Sequence, residues 1–240
     1  MRTTVLLPVL ALVPSLGLGG CSIHWNDHRS HPFARTVEFQ LTADEVRDLS
    51  ISGDLTDVEV RGGSPQPVVV AKIRERHEGV GTVALVDGRL SYRDLTGREG
   101  EGFMEHVTVW LPAEVSSLRV DVSHGDVWIV DVDATGPLKI LSGLGDIELE
   151  NVSAGGGIDA WTGLGDVDVS GVNGSLRVET KLGDVTVHRL RGPSADIRTG
   201  LGDIELVALD VQVLDYATKM GDVHSERIGD SVPQSAPTYQ

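Results

Sequence analysis

Six aspartates, Asp126, Asp146, Asp166, Asp184, Asp203 and Asp222, each follow a glycine and recur every 18–20 residues. Carboxylate oxygens are hard donors, so a regular row of them could hold Ca²⁺. A Gly-Asp pair also has an ion-free use, because the aspartate accepts hydrogen bonds from backbone N–H groups of its own corner. The ion-free use is expected here. The Gly-Gly-x-Gly-x-Asp calcium repeat has a different period, and Gly155-Gly156-Gly157-Ile158-Asp159 matches it only superficially. Paired carboxylates such as Glu148/Glu150 and Asp166/Asp168 could support acid–base chemistry, but alternating acidic residues on an exposed strand read as a solvated face. No phosphate loop, dinucleotide fingerprint, Gly-x-Ser-x-Gly elbow or His-Glu-x-x-His is present, so no catalytic, cofactor-binding or metal-ligating residue is assigned.

The elements that carry these residues follow from aligning the chain on its Gly-Asp pairs. Upstream, apolar positions alternate in steps of two: the row from Leu118, Leu138, Ile158, Leu176, Ala195 to Leu214, then the row from Val120 to Tyr216. A row of Val122, Ser142, Thr162, Thr180, Thr199 and Thr218 follows, then His124, Leu144, Leu164, Leu182, Leu201 and Met220. Period two is the strand period, and it predicts that all four rows point inward. On that register Leu164→Asp or Leu182→Asp would bury a charge and disrupt several coils, and His124 has a capping or core-edge role. After Gly-Asp the alternation restarts on the other parity, as in Ile147/Leu149 and Val185/Val187, so each pair marks a corner; a second corner follows Val132, Val152, Val172, Leu190, Leu209 and Ile228.

One such unit cannot bury its own apolar row. Stacked about 4.8 Å apart as parallel strands, the units form a dry core between two facing sheets. The expected fold is all-β, a parallel β-solenoid with two strands per coil, regular over 118–228 and irregular over 36–117, in one domain spanning 36–228.

In the irregular part, Val37, Phe39 and Leu41 alternate, Thr42–Glu45 carries a capping-box signal, and Leu49–Val60 fits the repeat with Thr56 in place of the corner glycine. Strands are expected at Val68–Ala71, Val83–Val86, Leu90–Tyr92 and Val107–Leu111, as wider coils or a hairpin insertion.

Outward positions Arg119, Lys139, Asp159, Arg177 and Asp196 nearly alternate in sign, which predicts charge pairing between neighbouring coils. Trp128 and Trp161 are expected outward, beside Val130 and Leu141, where either could mark a contact surface.

Acidic residues outnumber basic ones 36 to 20, for a formal charge of −16. Such a surface repels phosphate backbones and excludes nucleic acid as a partner.

The N-terminus adds a different chemistry. An apolar run from Val5 to Leu18, broken by Pro8 and Pro14, ends in Leu18-Gly19-Gly20-Cys21, and Cys21 is the only cysteine. The run is too short to span a bilayer comfortably. It resembles a bacterial lipoprotein signal peptide over residues 1–20, with Cys21 the lipidated (palmitate-bearing) residue and 21–35 a tether. His24, His28 and His31 in that tether lack the preformed geometry a metal site needs. Residues 229–240 read as a polar tail. Ser22 rather than aspartate after the anchor would leave the protein open to outer-membrane sorting in a diderm host.

Leu111-Pro112 ahead of Leu118-x-Val120, the repeated Gly-Asp-(Val/Ile) strands, and the Asn151-Val152 and Gly171-Val172 turns resemble the DUF4097 family over about residues 37–228. The resemblance implies a parallel β-solenoid of the toastrack kind and an adhesin-like place in the bacterial envelope, and it carries over no biochemical activity. The expected role is a non-enzymatic, lipid-anchored envelope protein whose solenoid binds or organises another envelope protein or glycan. A calcium-stabilised adhesin repeat, an envelope-stress sensor or regulator and a glycan-active enzyme are the alternatives.

Overall fold

The computed structural model describes residues 31–98, 100–112 and 114–227. The chain runs through β1 (Phe33–Gln40), a one-turn helix α1 (Ala43–Arg47), β2 (Asp48–Leu55), β3 (Asp57–Arg61), β4 (Val68–Glu75), β5 (Gly81–Val86), β6 (Arg89–Asp94) and β7 (Gly102–Trp110). The repeats follow as β8 (Glu114–Val115), β9 (Ser117–His124), β10 (Val127–Val130), β11 (Asp133–Ala134), β12 (Leu138–Leu144), β13 (Ile147–Glu150), β14 (Ser153–Ala154), β15 (Ile158–Leu164) and β16 (Val167–Ser170). The last coils are β17 (Leu176–Leu182), β18 (Val185–His188), β19 (Arg191–Leu201), β20 (Ile204–Val207), β21 (Asp210–Met220) and β22 (Val223–Glu226).

Two large sheets face one another, and the fold is the expected parallel β-solenoid. Sheet A is ordered β1-β4-β7-β3-β10-β13-β16-β18-β20-β22, and sheet B β21-β19-β17-β15-β12-β9-β2-β6-β5. Equivalent residues stack in register, as Ile140 does on Val120 and Ala160, or Leu149 on Ile129 and Val169. The first two apolar rows of sheet B and the two of sheet A are buried through nearly the whole stack, with Tyr216, Val223 and Ser225 less covered in the last coil.

A third side adds to the two-strand picture. The short strands β8, β11 and β14 form their own parallel sheet, continued by single bridges from Ser153 to Asn173 and on to Arg191. The second corner, expected from sequence after Val132, Val152, Val172, Leu190 and Leu209, turns before them: Asp131, Asn151, Gly171, Arg189 and Ala208 have φ between 53° and 68°. That left-handed turn tips the next residue, Val132, Val152, Val172, Leu190 or Leu209, into the core. Ile228 lies outside the described residues.

The largest correction concerns the row before the Gly-Asp corner. Leu144, Leu164, Leu182 and Leu201 are 36–43% exposed and Met220 is 66% exposed, while His124 is exposed as well. Period two fails there because the preceding hydroxyl already fills the inside of the corner. Thr162 Oγ1 donates to the Gly145 carbonyl at 2.9 Å, and Thr180, Thr199 and Thr218 do the same to Gly165, Gly183 and Gly202. The leucine that follows is past the core and turns outward, so aspartate at 164 or 182 would not be buried.

Residues 61–117 extend both sheets instead of forming a separate layer. Coil 49–60 stacks directly under coil 118–130, through Leu49 on Leu118 and Val58 on Val127. On its other side β7 pairs parallel with β3, then β4 and β1 add antiparallel; in sheet B, β6 pairs parallel with β2 and closes a hairpin with β5. Thr42 caps α1 with both halves of the capping box present. Strand β1 begins at Phe33, so 33–35, assigned to the tether from sequence, belong to sheet A. His31 is buried too, its Nε2 2.9 Å from the Gly100 carbonyl and its ring edge-on to Phe103.

Candidate binding surface

The corner glycine and aspartate form a repeating joint. Gly145 has φ 145° and Gly165 φ 153°, a region that disfavours other residues. A Cβ on Gly165 would also come within 2.1 Å of the Gly145 carbonyl oxygen in the coil before it. The aspartate does not bond its own corner, as expected from sequence, but the next one. Asp126 Oδ1 accepts from the Asp146 backbone N–H at 2.9 Å, Asp146 from Asp166 at 2.8 Å, Asp166 from Asp184 at 2.8 Å, and Asp184 and Asp203 from Asp203 and Asp222 at 2.7 Å. Asp57, beside the Thr56 that replaces the glycine, starts the chain by accepting from Asp126 N–H at 3.1 Å. One carboxylate oxygen per coil is thus bound to backbone. Among the described residues no group of three or more His, Cys, Asp or Glu side chains is placed to hold a metal ion.

The two broad faces differ in charge. From β3 to β22 the outward positions of sheet A carry Glu59, Glu148, Glu150, Asp168, Glu205 and Glu226 against Arg61, with His188 and His224 near the far end, while β4 adds Lys72 and Arg74, both paired with Glu105 of β7. In this crowd the carboxyls of Glu148 and Asp168 titrate above their usual range, first through partial burial and then through repulsion by acidic neighbours. Asp146 is raised for the same two reasons, with Asp126 and Asp166 as its neighbours.

The outer face of sheet B is mixed in sign. The predicted ladder Arg119, Lys139, Asp159, Arg177 and Asp196 is in register, but only Lys139 and Asp159 pair between coils, at 3.6 Å. Arg119 and Arg177 instead take the carboxylate two residues along their own strand, Asp121 at 2.7 Å and Glu179 at 3.5 Å. Side chains at i and i+2 share a face, so this partner was always within reach.

Trp128 and Trp161, either of which was expected as a contact residue, lie on opposite sheets, Trp128 between Glu59 and Glu148 and Trp161 beside Leu141. Trp161 lies close to Gly163, and the Lys181 ammonium sits 5.2 Å from its ring centroid. Lys181 was not singled out from sequence, although it stands where other coils have Gly143, Gly163 and Gly200.

A buried polar group at the N-terminal end also escaped sequence reading. Glu75, 1% exposed, binds Arg35 at 3.0 Å and accepts the N–H groups of Gly79 and Gly81. Burial pushes its carboxyl up, but these partners together hold it below its usual value. The nearby Tyr92 hydroxyl, wedged between Gly81 and Gly102, is pushed up to about 12 by burial and by Glu75 and Asp94. The paired residues lie about 40 positions apart, and no local pattern announces them.

One shallow concavity, about 400 Å³, lies along the second corner at Val172, Asn173, Arg189 and Arg191; another, about 290 Å³, borders Ser52, Tyr92 and Phe103. No helix among the described residues is long and apolar enough to cross a membrane. Cys21, the signal segment, His24, His28 and the tail 229–240 lie outside the described residues.

The chain matches a family model described as Toastrack DUF4097 over residues 31–234. A candidate adhesin from Bacteroides fragilis NCTC 9343 is 15% identical over 82% of this chain and 99% of its own, with a TM-score of 0.51. Another from Parabacteroides distasonis ATCC 8503 is 13% identical over 80% of this chain and 82% of its own, with a TM-score of 0.52. Likeness at such identity is one of fold. No curated protein matches the chain.

Proposed function

The chain belongs to the Toastrack DUF4097 family, and from that premise we propose that it is a non-enzymatic, adhesin-like envelope protein, tethered by lipid on Cys21, whose solenoid presents a binding surface to another envelope component. The observation that carries the reading is the outer face of sheet A, where one in-register ladder runs Glu59, Trp128, Glu148, Asp168, Thr186 and Glu205, with Glu148 and Asp168 directly adjacent. A surface built this way is suited to an extended, complementary partner, because affinity comes from many weak contacts held in fixed geometry. The flanking turns are short and the hollows shallow, which suits docking better than enclosing a reacting substrate.

The anchor follows from Leu18-Gly19-Gly20-Cys21 after an apolar run. Cys21→Ser is expected to move the protein from the membrane fraction to the soluble one. Unchanged attachment, with no lipid mass on the mature N-terminus, would overturn the anchor. In-cell cross-linking from sheet A, followed by affinity purification, tests the display reading. Capture that is lost when Glu148, Asp168 and Glu205 are changed to their amides supports it; capture of nothing above background refutes it.

A further inference from the structure

The row Leu144, Leu164, Leu182 and Leu201 has no role in the core, yet the same side chain recurs in four successive coils, each 36–43% exposed. Isolated exposed leucines are ordinary, but a continuous apolar stripe on a strongly acidic body is not. Along one side of it runs the aspartate row, whose Oδ1 atoms are bound to backbone. Along the other, three of the four coils have only glycine, at 143, 163 and 200. We propose that this edge is a rail for an amphipathic α-helix of a partner protein, with apolar residues on the leucines and lysine or arginine beside the aspartates.

Spacing selects the helix. The leucines repeat at the inter-strand distance, about 4.8 Å, and a helix repeats its i, i+3/i+4 stripe at about 5.4 Å. Over the three steps from Leu144 to Leu201 the mismatch reaches only about 2 Å, so about ten helical residues can give one apolar contact per coil. An extended strand repeats each face at about 6.6 Å and falls out of step within two coils. Charge selects the flanks and argues against other occupants: the aspartates repel anionic lipid, and a second copy would bring another row of the same sign.

The proposal rests on the solenoid being a display surface and names its partner class. The probe is a fluorescent 14-residue peptide with leucines at i, i+3/i+4 spacing flanked by lysines, titrated into the full-length chain; a scrambled peptide of equal composition is the control. Saturable binding is expected, weakened at least tenfold by Leu164→Ser with Leu182→Ser. Because both leucines lie outside the core, the melting temperature of that variant should stay within a few degrees of the parent. Asp166→Asn with Asp184→Asn should weaken binding several-fold and flatten its salt dependence.

Equal binding of the scrambled peptide, or full binding to the leucine variant, overturns the rail. Self-association that vanishes in the leucine variant and competes with the peptide overturns it in favour of a second copy. Peptide failure alongside successful cross-linking from sheet A rejects the rail alone; failure of both rejects the display reading as well.

Discussion

The regular coils and the N-terminal cap close the same two sheets by different means. From Gly125 onward, each coil is joined to the next by the same two side-chain bonds, an aspartate oxygen to the following corner N–H and a buried hydroxyl to a corner carbonyl. In the cap, antiparallel strands are held by single, non-repeated contacts: Arg35 with Glu75, and Lys72 and Arg74 with Glu105 at 2.7 and 3.0 Å. Repetition spreads load over many small equal terms. The cap concentrates it in a few charges whose loss nothing nearby can make good.

The largest expected effect is therefore in the cap. Glu75→Ala leaves the N–H groups of Gly79 and Gly81 without their acceptor, while Arg35, 36% exposed, keeps solvent and the Gly81 carbonyl, so the expected cost is about 2–3 kcal/mol. A chemical-denaturation midpoint measures it. A loss under about 1 kcal/mol would mean that the cap closes without this ion pair, and the contrast with the repeats would fail.

At a repeat joint the effect should be smaller. Thr180→Val keeps the shape of the side chain and removes its bond to the Gly165 carbonyl at 3.1 Å, for a net loss of about 1 kcal/mol. Asp166→Ala removes one inter-coil bond and should cost about as much. Asp166→Asn keeps an acceptor oxygen for the Asp184 N–H and relieves like-charge crowding, so it should be close to neutral. If any of these matched Glu75→Ala, load would not be spread evenly along the solenoid.

The same contrast decides what the sequence could reveal. Inward rows such as Leu138/Ile140 and Ile147/Leu149 were legible because parallel stacking repeats one local pattern, and a pattern seen six times needs no knowledge of distant residues. The Leu144–Leu201 row was misread because period two was carried through a place where the Thr hydroxyl, not the next side chain, fills the corner. The aspartate bond was assigned to its own corner because spacing alone does not distinguish an N–H in the same coil from one in the coil above. His31, Arg35 and Glu75 were illegible in another way, since each is fixed by a partner at least 40 positions away. Of the candidate surface, the carboxylates were legible as a face, whereas its exposed leucine edge needed the structure.

The smallest expected effect, and the sharpest in sign, is the response to acid. On the solenoid, Asp146, Glu148 and Asp168 titrate above their ordinary 3.8, 4.5 and 3.8. As pH falls from neutral through those raised values, the folded state takes up protons before the unfolded chain does, so acidification should first stabilise the protein. In the cap, Glu75 and Glu105 titrate below their ordinary 4.5, the ion pairs outweighing burial. Their contribution is complete above 4.5 and is lost as pH falls through the lowered folded values, where the unfolded chain has already bound its protons. Melting temperature should therefore rise slightly into mild acid and then fall. Glu148→Gln with Asp168→Asn should shrink the rise to the part Asp146 supplies and lift stability at neutral pH, whereas Glu75→Gln should flatten the fall. A melting temperature that only declined from neutral pH downward, unchanged in shape by the first pair of substitutions, would show that the acidic face stores no repulsion and that the two regions respond to protons alike.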